Sequence, residues 1–124
     1  MKYVFTKKDA FRIELKNPAR NAHIWIDGER GAQNLSGGTT DIPVGSELPY
    51  HVHENEEEIM FIYRGNGIAV IEGETYPLEI ETMVFVPPGL KHTFRNTGTE
   101  MLSFAFFYAP PGPEQNIRKL GGKP

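Results

Sequence analysis

Three histidines and one glutamate carry the chemistry this chain could do. His51 and His53 are two residues apart, so on an extended strand both imidazoles leave the same face. Glu58 follows after four intervening residues, and His92 arrives from a separate segment. Neutral imidazoles and a carboxylate are ligands for a divalent first-row metal. They can meet only if residues 87–96, PPGLKHTFRN, fold back on residues 45–65, GSELPYHVHENEEEIMFIYRG.

Coordination number then decides what such a centre can do. Four protein ligands saturate tetrahedral zinc, whereas on octahedral Mn(II), Fe(II) or Ni(II) they leave positions open for substrate oxygens or dioxygen. One carboxylate against a dipositive ion leaves a net positive centre, suited to an enolate or a carboxylate. The expected cofactor is one divalent metal ion per chain, with Mn, Fe or Ni favoured over Zn.

The elements that must position these residues are short strands. Glycine (13) and proline (10) are spread along the 124 residues, and turn signals recur often, as in a sandwich or barrel. Residues 1–16 suit two short strands around Lys7–Asp9, with a helix over 7–16 as the alternative; Asn17-Pro18 ends them. Strands are expected at 22–26, at 33–42 with a bulge or bend at Gly37-Gly38, through the histidines, and at 58–63, the last buried on both faces. Further strands follow at 68–71, 75–78, 82–86, 92–95 and 102–108. Glu114–Leu120 fits a helical turn or two, and the last four residues are expected to fray. No helix-length segment alternates with strands, which argues against a parallel α/β sheet.

Bulk properties narrow the function classes. The length suits one domain, and a formal net charge of −3 offers no basic face for nucleic acid. Cysteine is absent, so no disulfide or thiolate enters the chemistry. No window reaches the roughly 18 apolar residues of a membrane span, and no signal-peptide pattern opens the chain, so a cytoplasmic setting is expected.

With these residues in place, the chain resembles the cupin superfamily, as a small single-domain microbial cupin. The first cupin motif, G-x5-H-x-H-x3,4-E-x6-G, is met by Gly45, His51, His53, Glu58 and Gly65. The second, G-x5-P-x-G-x2-H-x3-N, is met by Pro87, Gly89, His92 and Asn96, while its opening glycine falls on Glu81. That departure puts a loop shape in doubt and leaves the ligand set intact. The resemblance implies an all-β fold, a double-stranded β-helix or jelly-roll barrel over residues 36–110. Residues 1–35 would be N-terminal strands packing on the barrel or on a partner, and 111–124 a C-terminal tail.

Glu58 competes with Glu57 for the fourth ligand position, and strand phase with Met60 and Ile62 favours Glu58. Met60, Ile62 and Phe94 share the ligands' parity and are the expected apolar pocket walls. His23 is expected to be a partly buried strand residue rather than a fifth polar group in the pocket. Arg64 and Lys91 neighbour motif positions, where such residues are more often solvent-facing than substrate-binding.

The resemblance implies a metal-dependent enzyme acting on a small keto, enol or carboxylate substrate, by dioxygenation or by Lewis-acid lyase, isomerase or decarboxylase chemistry. The alternative is a binding or sensing module whose metal anchors a small ligand. Ile59, Phe61 and Tyr63 would face away from the cavity, leaving apolar surface that predicts a homodimer.

Overall fold

The computed structural model describes residues 2–121. Among these residues nine strands form two antiparallel sheets. In chain order they are β1 (Phe11–Lys16), β2 (Ala19–Ile26), β3 (Ser36–Ile42), β4 (Glu57–Arg64), β5 (Gly67–Ile71), β6 (Glu74–Leu78), β7 (Met83–Val86), β8 (His92–Arg95) and β9 (Leu102–Ala109). One helix, α1 (Pro113–Gly121), follows. The larger sheet runs β1-β2-β3-β9-β4-β7 and the smaller β6-β5-β8. Their inner faces enclose Ile42, Met60, Ile62, Phe94, Leu102, Phe104 and Phe106, giving a jelly-roll barrel.

Local sequence accounts for the turns. Glu72-Gly73 joins β5 to β6 as a two-residue hairpin with both residues at positive φ (48° and 82°), which the small Gly side of the pair favours. Glu81, where the motif has glycine, takes the left-handed conformation at φ 67°, so the loop shape survives the substitution. Gly38 lies where β2 skips from Ile24 to Ile26, and a Cβ there would collide with the His23 carbonyl. The bulge is thus in β2 and the glycine is its counterpart in β3.

Three expectations need correction. Residues 2–6 form no strand: a 3₁₀ turn at Lys7–Asp9, with Thr6 and Asp9 forming a capping box, leads directly into β1. Only β2 borders β1, so the preceding residues have no strand to pair with, and Tyr3 and Val4 stay exposed. The histidine segment is no regular strand either. It follows β8 through isolated bridges Glu47↔Arg95 and His51↔His92, because Pro49 has no N–H to continue the ladder. β4 alternates buried and exposed residues, with Ile59 and Tyr63 open, because no layer covers its outer face. The helical turns expected at Glu114–Leu120 form, as a docked helix of nine residues, Pro113–Gly121. The fraying expected beyond it, at residues 122–124, lies outside the described residues.

Two buried acids hold α1 in place. Asp27, fully buried, accepts hydrogen bonds from Arg118 Nε at 2.6 Å and Gln115 Nε2 at 3.1 Å. Glu114 accepts from Ser36 Oγ at 2.6 Å and from the Gly112 amide at 2.9 Å. Arg118 also lies over the Phe11 ring at 4.6 Å, so the helix is fastened to β1, to β3 and to the residue that follows β2. Among the described residues no helix is long and apolar enough to cross a membrane.

Candidate metal centre

His51, His53, Glu58 and His92 each offer a ligand atom, and these atoms lie within 4.8 Å of one another. β4 delivers Glu58, β8 delivers His92, and the irregular segment before β4 delivers the other two. The reciprocal amide bonds between His51 and His92 (2.9 and 2.7 Å) bring the two motifs together. Inward phase on β4 selects Glu58, which is buried, while Glu57 is exposed.

Hydrogen bonding fixes how the rings face. His51 Nδ1 lies 2.6 Å from the Pro49 carbonyl and His92 Nδ1 lies 2.9 Å from the Leu90 carbonyl. A carbonyl only accepts, so Nδ1 is the donor in both rings, and in the neutral ring Nε2 keeps its lone pair. His92 Nε2 stands 3.2 Å from Glu58 Oε1. Lone pair then faces anionic oxygen, an arrangement that needs a cation or an extra proton between them. His53 Nε2 is 3.3 Å from the same oxygen, yet it is buried with no aligned hydrogen-bond partner. An orphaned buried nitrogen beside such a pair fits a metal-holding donor set.

Electrostatics agree with that donor set. Burial, aided by the neighbouring His92, lowers His51 to about 4, so the ring is neutral and able to ligate near neutral pH. Burial alone would raise the Glu58 carboxyl, but His53 and His92 outweigh it and hold Glu58 below its ordinary value. Tyr108 stacks edge-on against His53 at 5.1 Å. Burial, together with the Glu58 charge, pushes its hydroxyl well above the ordinary tyrosine value, so it is a neutral wall of the site.

The cluster opens into a cavity of about 220 Å³. β9 supplies Phe104, Phe106 and Tyr108; the histidine segment supplies Leu48 and Pro49. Thr40 comes from β3, and the rest of the wall from the flanks: Leu15, Arg20 and Ala22 from the β1–β2 hairpin, and Pro113, Asn116, Ile117 and Leu120 from α1. Met60, Ile62 and Phe94 do not line it. They have the expected inward phase but sit within the core, where Phe94 stacks on Phe104 at 5.0 Å. His23 is buried on the other face of β2, in a separate hollow with Lys7, Lys8 and Asp41. Arg64 pairs weakly with Glu100 on the surface and Lys91 lies over the Tyr50 ring; neither lines the cavity. Arg20 escaped notice, although its alternation with Ala22 and Ile24 in ARNAHIWI marks it as inward-facing.

Comparison with known proteins matches this geometry. The cupin domain family profile covers residues 38–108, and the chain belongs to that family. Over 73 residues it is 29% identical to the polyketide synthase protein CurC of Streptomyces cyaneus, covering 59% of this chain and 47% of that one. Over 63 residues it is 35% identical to an oxalate-binding protein of Thermotoga maritima, covering 51% and 52% respectively. The matched segments thus span about half of each relative's length. Among solved structures, a predicted oxalate decarboxylase from Thermotoga maritima aligns with a TM-score of 0.80 at 22% identity, over 88% of this chain and all of that one. The polyketide cyclase RemF of Streptomyces resistomycificus aligns at 0.78 and 19% identity, over 91% and 82%. At these identities the structural likenesses speak for the fold.

Proposed function

We propose that the protein is a metal-dependent cupin enzyme acting on a small keto, enol or carboxylate substrate. The observation that carries this is the unpartnered, buried Nε2 of His53 beside the His92–Glu58 pair, at the end of a cavity sized for a small molecule. His51, His53, Glu58 and His92 would hold the ion, with Mn, Fe or Ni favoured over Zn. When bound, the ion supplies Lewis-acid polarisation of substrate oxygens or a site for dioxygen chemistry. The chain itself contributes fixed imidazole tautomers, set by the Pro49 and Leu90 carbonyls, and an apolar wall that limits water.

One observation favours a second possibility, a binding module in which the metal only anchors a ligand. Every carboxylate and imidazole lining the cavity belongs to the ligand set, so no separate general base is present among the described lining residues. A relative named for oxalate binding points the same way. The test is to load the protein with Mn, Fe, Ni or Zn and incubate it with oxalate and 2-oxo acids, with and without O₂. Turnover that follows metal content supports the enzyme; binding of these acids without turnover at any loading would leave only the binding module.

Homodimerisation through the larger sheet belongs to the same proposal. Register sets Phe107 between Gly37 and Ile59, and Ile59 beside Phe85, so one apolar stripe crosses β3, β9, β4 and β7 on the outer face. Phe107, Phe85 and Met83 are about half exposed or more (47%, 57%, 64%), which a lone protomer rarely tolerates in one patch. Sedimentation at micromolar concentration should give a dimer that Phe107→Glu dissociates; a wild-type monomer would sink the idea.

A further inference from the structure

Building on the metal-centred function proposed above, we infer that Arg20 is the anion-recognising residue of the cavity. It would select substrates that carry a second carboxylate beyond the group bound at the His/Glu cluster. Strand phase comes first. Arg20 shares the inner face of β2 with Ala22 and Ile24, which are 2% and 1% exposed, so a cation stands where the strand otherwise buries aliphatic side chains. Leu15 is its partner across the β1–β2 hairpin, and both line the cavity.

The guanidinium is under-used where it sits. Of its five N–H donors, one is engaged among the described residues, with Nη1 donating to the Pro18 carbonyl at 2.8 Å. No carboxylate lies within ion-pair reach of it among the described residues, although the structure pairs Arg12, Arg64, Arg95 and Arg118 with acids. Among the described residues, the only carboxylate lining the cavity is Glu58, which belongs to the His/Glu cluster. Burial also lowers the Arg20 pKa, as expected of a charge short of solvation. Partly dehydrated, uncompensated and forked, it suits a carboxylate, which accepts two parallel N–H bonds.

The position is held against the metal-ligand segment. Ser46 Oγ donates to the Ala19 carbonyl at 2.5 Å, tying the start of β2 to the residues that lead into His51. Leu48 and Pro49, from that segment, line the same cavity. A ligand could therefore place one anionic end at the cluster, lay an apolar middle along Leu48, Phe104 and Phe106, and place a second anionic end at Arg20.

Paired ligands of matched length provide the test. Wild type and Arg20→Gln, each incubated with Mn(II), are titrated calorimetrically with oxaloacetate, 2-oxoglutarate and 2-oxoadipate. The same is done with 2-oxobutanoate, 2-oxopentanoate and 2-oxohexanoate, which lack the distal carboxylate. The wild type should prefer the dicarboxylate by at least about tenfold at one length, the value of a charge-assisted pair. Arg20→Gln should bring that ratio near one while keeping monocarboxylate binding, which also reports an intact fold. Arg20→Lys should retain part of the preference.

A wild-type ratio near one at every length, a ratio that survives Arg20→Gln, or a wild type that binds neither acid overturns the role of Arg20. Metal content of the same samples separates the two levels. Failure to take up metal overturns the metal-centred function, while the ratio measured on that protein still decides Arg20.

Discussion

The cavity joins two regions of unlike origin. At one end, four candidate ligand residues stand at motif spacing, His51 and His92 held by backbone carbonyls and by the β8 bridge, and the match to the cupin family covers all four. At the other, the wall is assembled from the β1–β2 hairpin and α1, which lie outside the matched residues 38–108. In that first end Glu58 and His92 are buried and His51 and His53 partly so. In the second, the hairpin continues the larger sheet through the β2–β3 ladder, while α1 is attached through side-chain pairs, chiefly Asp27–Arg118 and Ser36–Glu114. A fold can thus keep one metal chemistry while its flanks decide what reaches it.

The largest way to separate the two ends is to release the helix. Arg118→Ala strands the fully buried Asp27 carboxylate and should cost about 3 kcal/mol. Thermal denaturation should show a midpoint lowered by on the order of 10 °C, with metal stoichiometry unchanged in the folded protein. Loss of metal together with the helix would mean the two ends are one unit. At the opposite end, Glu58→Gln should weaken metal affinity at least about tenfold, whereas Glu57→Gln, on the exposed face, should leave it unaltered. Competition with a chromophoric chelator reads both.

Ile62→Val probes the core between the ends. It should cost about 1 kcal/mol of stability in urea unfolding and leave the binding of 2-oxo acids unchanged, because Ile62 fills the core and does not touch the cavity. The smallest effect concerns Glu114. Burial opposes its charge, but hydrogen bonds from Ser36, Gln115 and the Gly112 amide prevail and keep its folded pKa below the ordinary 4.5. Its stabilisation is therefore complete above that unfolded value and fades as pH falls through the lower folded one. Wild type should melt above Glu114→Gln at pH 6, and the gap should close in acid; a constant gap from pH 6 to 3 would contradict this.

The convergence of His51, His53, Glu58 and His92 was legible in the sequence because each is a particular residue type at a particular spacing. Glu58 over Glu57 followed from strand phase with Met60 and Ile62 together with its motif spacing from Gly65. The walls were not legible in that way. Met60, Ile62 and Phe94 have the right phase, but phase does not tell how deep along a strand the cavity ends. Phe104, Phe106 and Tyr108 occupy the corresponding inner face of β9 beside the cavity. Arg20 was readable from alternation in β2, yet only the docking of that hairpin gives its inward position a meaning. The helix wall depended on Asp27 and Arg118, 91 residues apart, which no local pattern links.

Metal content of the untagged protein, measured by mass spectrometry beside His53→Ala and His92→Ala, tests the central claim most directly. Near-stoichiometric Mn, Fe or Ni in the wild type, lost from both variants while their folds persist, is the expected result. A wild type that holds no metal even after reconstitution, or variants that keep it, would contradict the claim that these four residues form a metal centre.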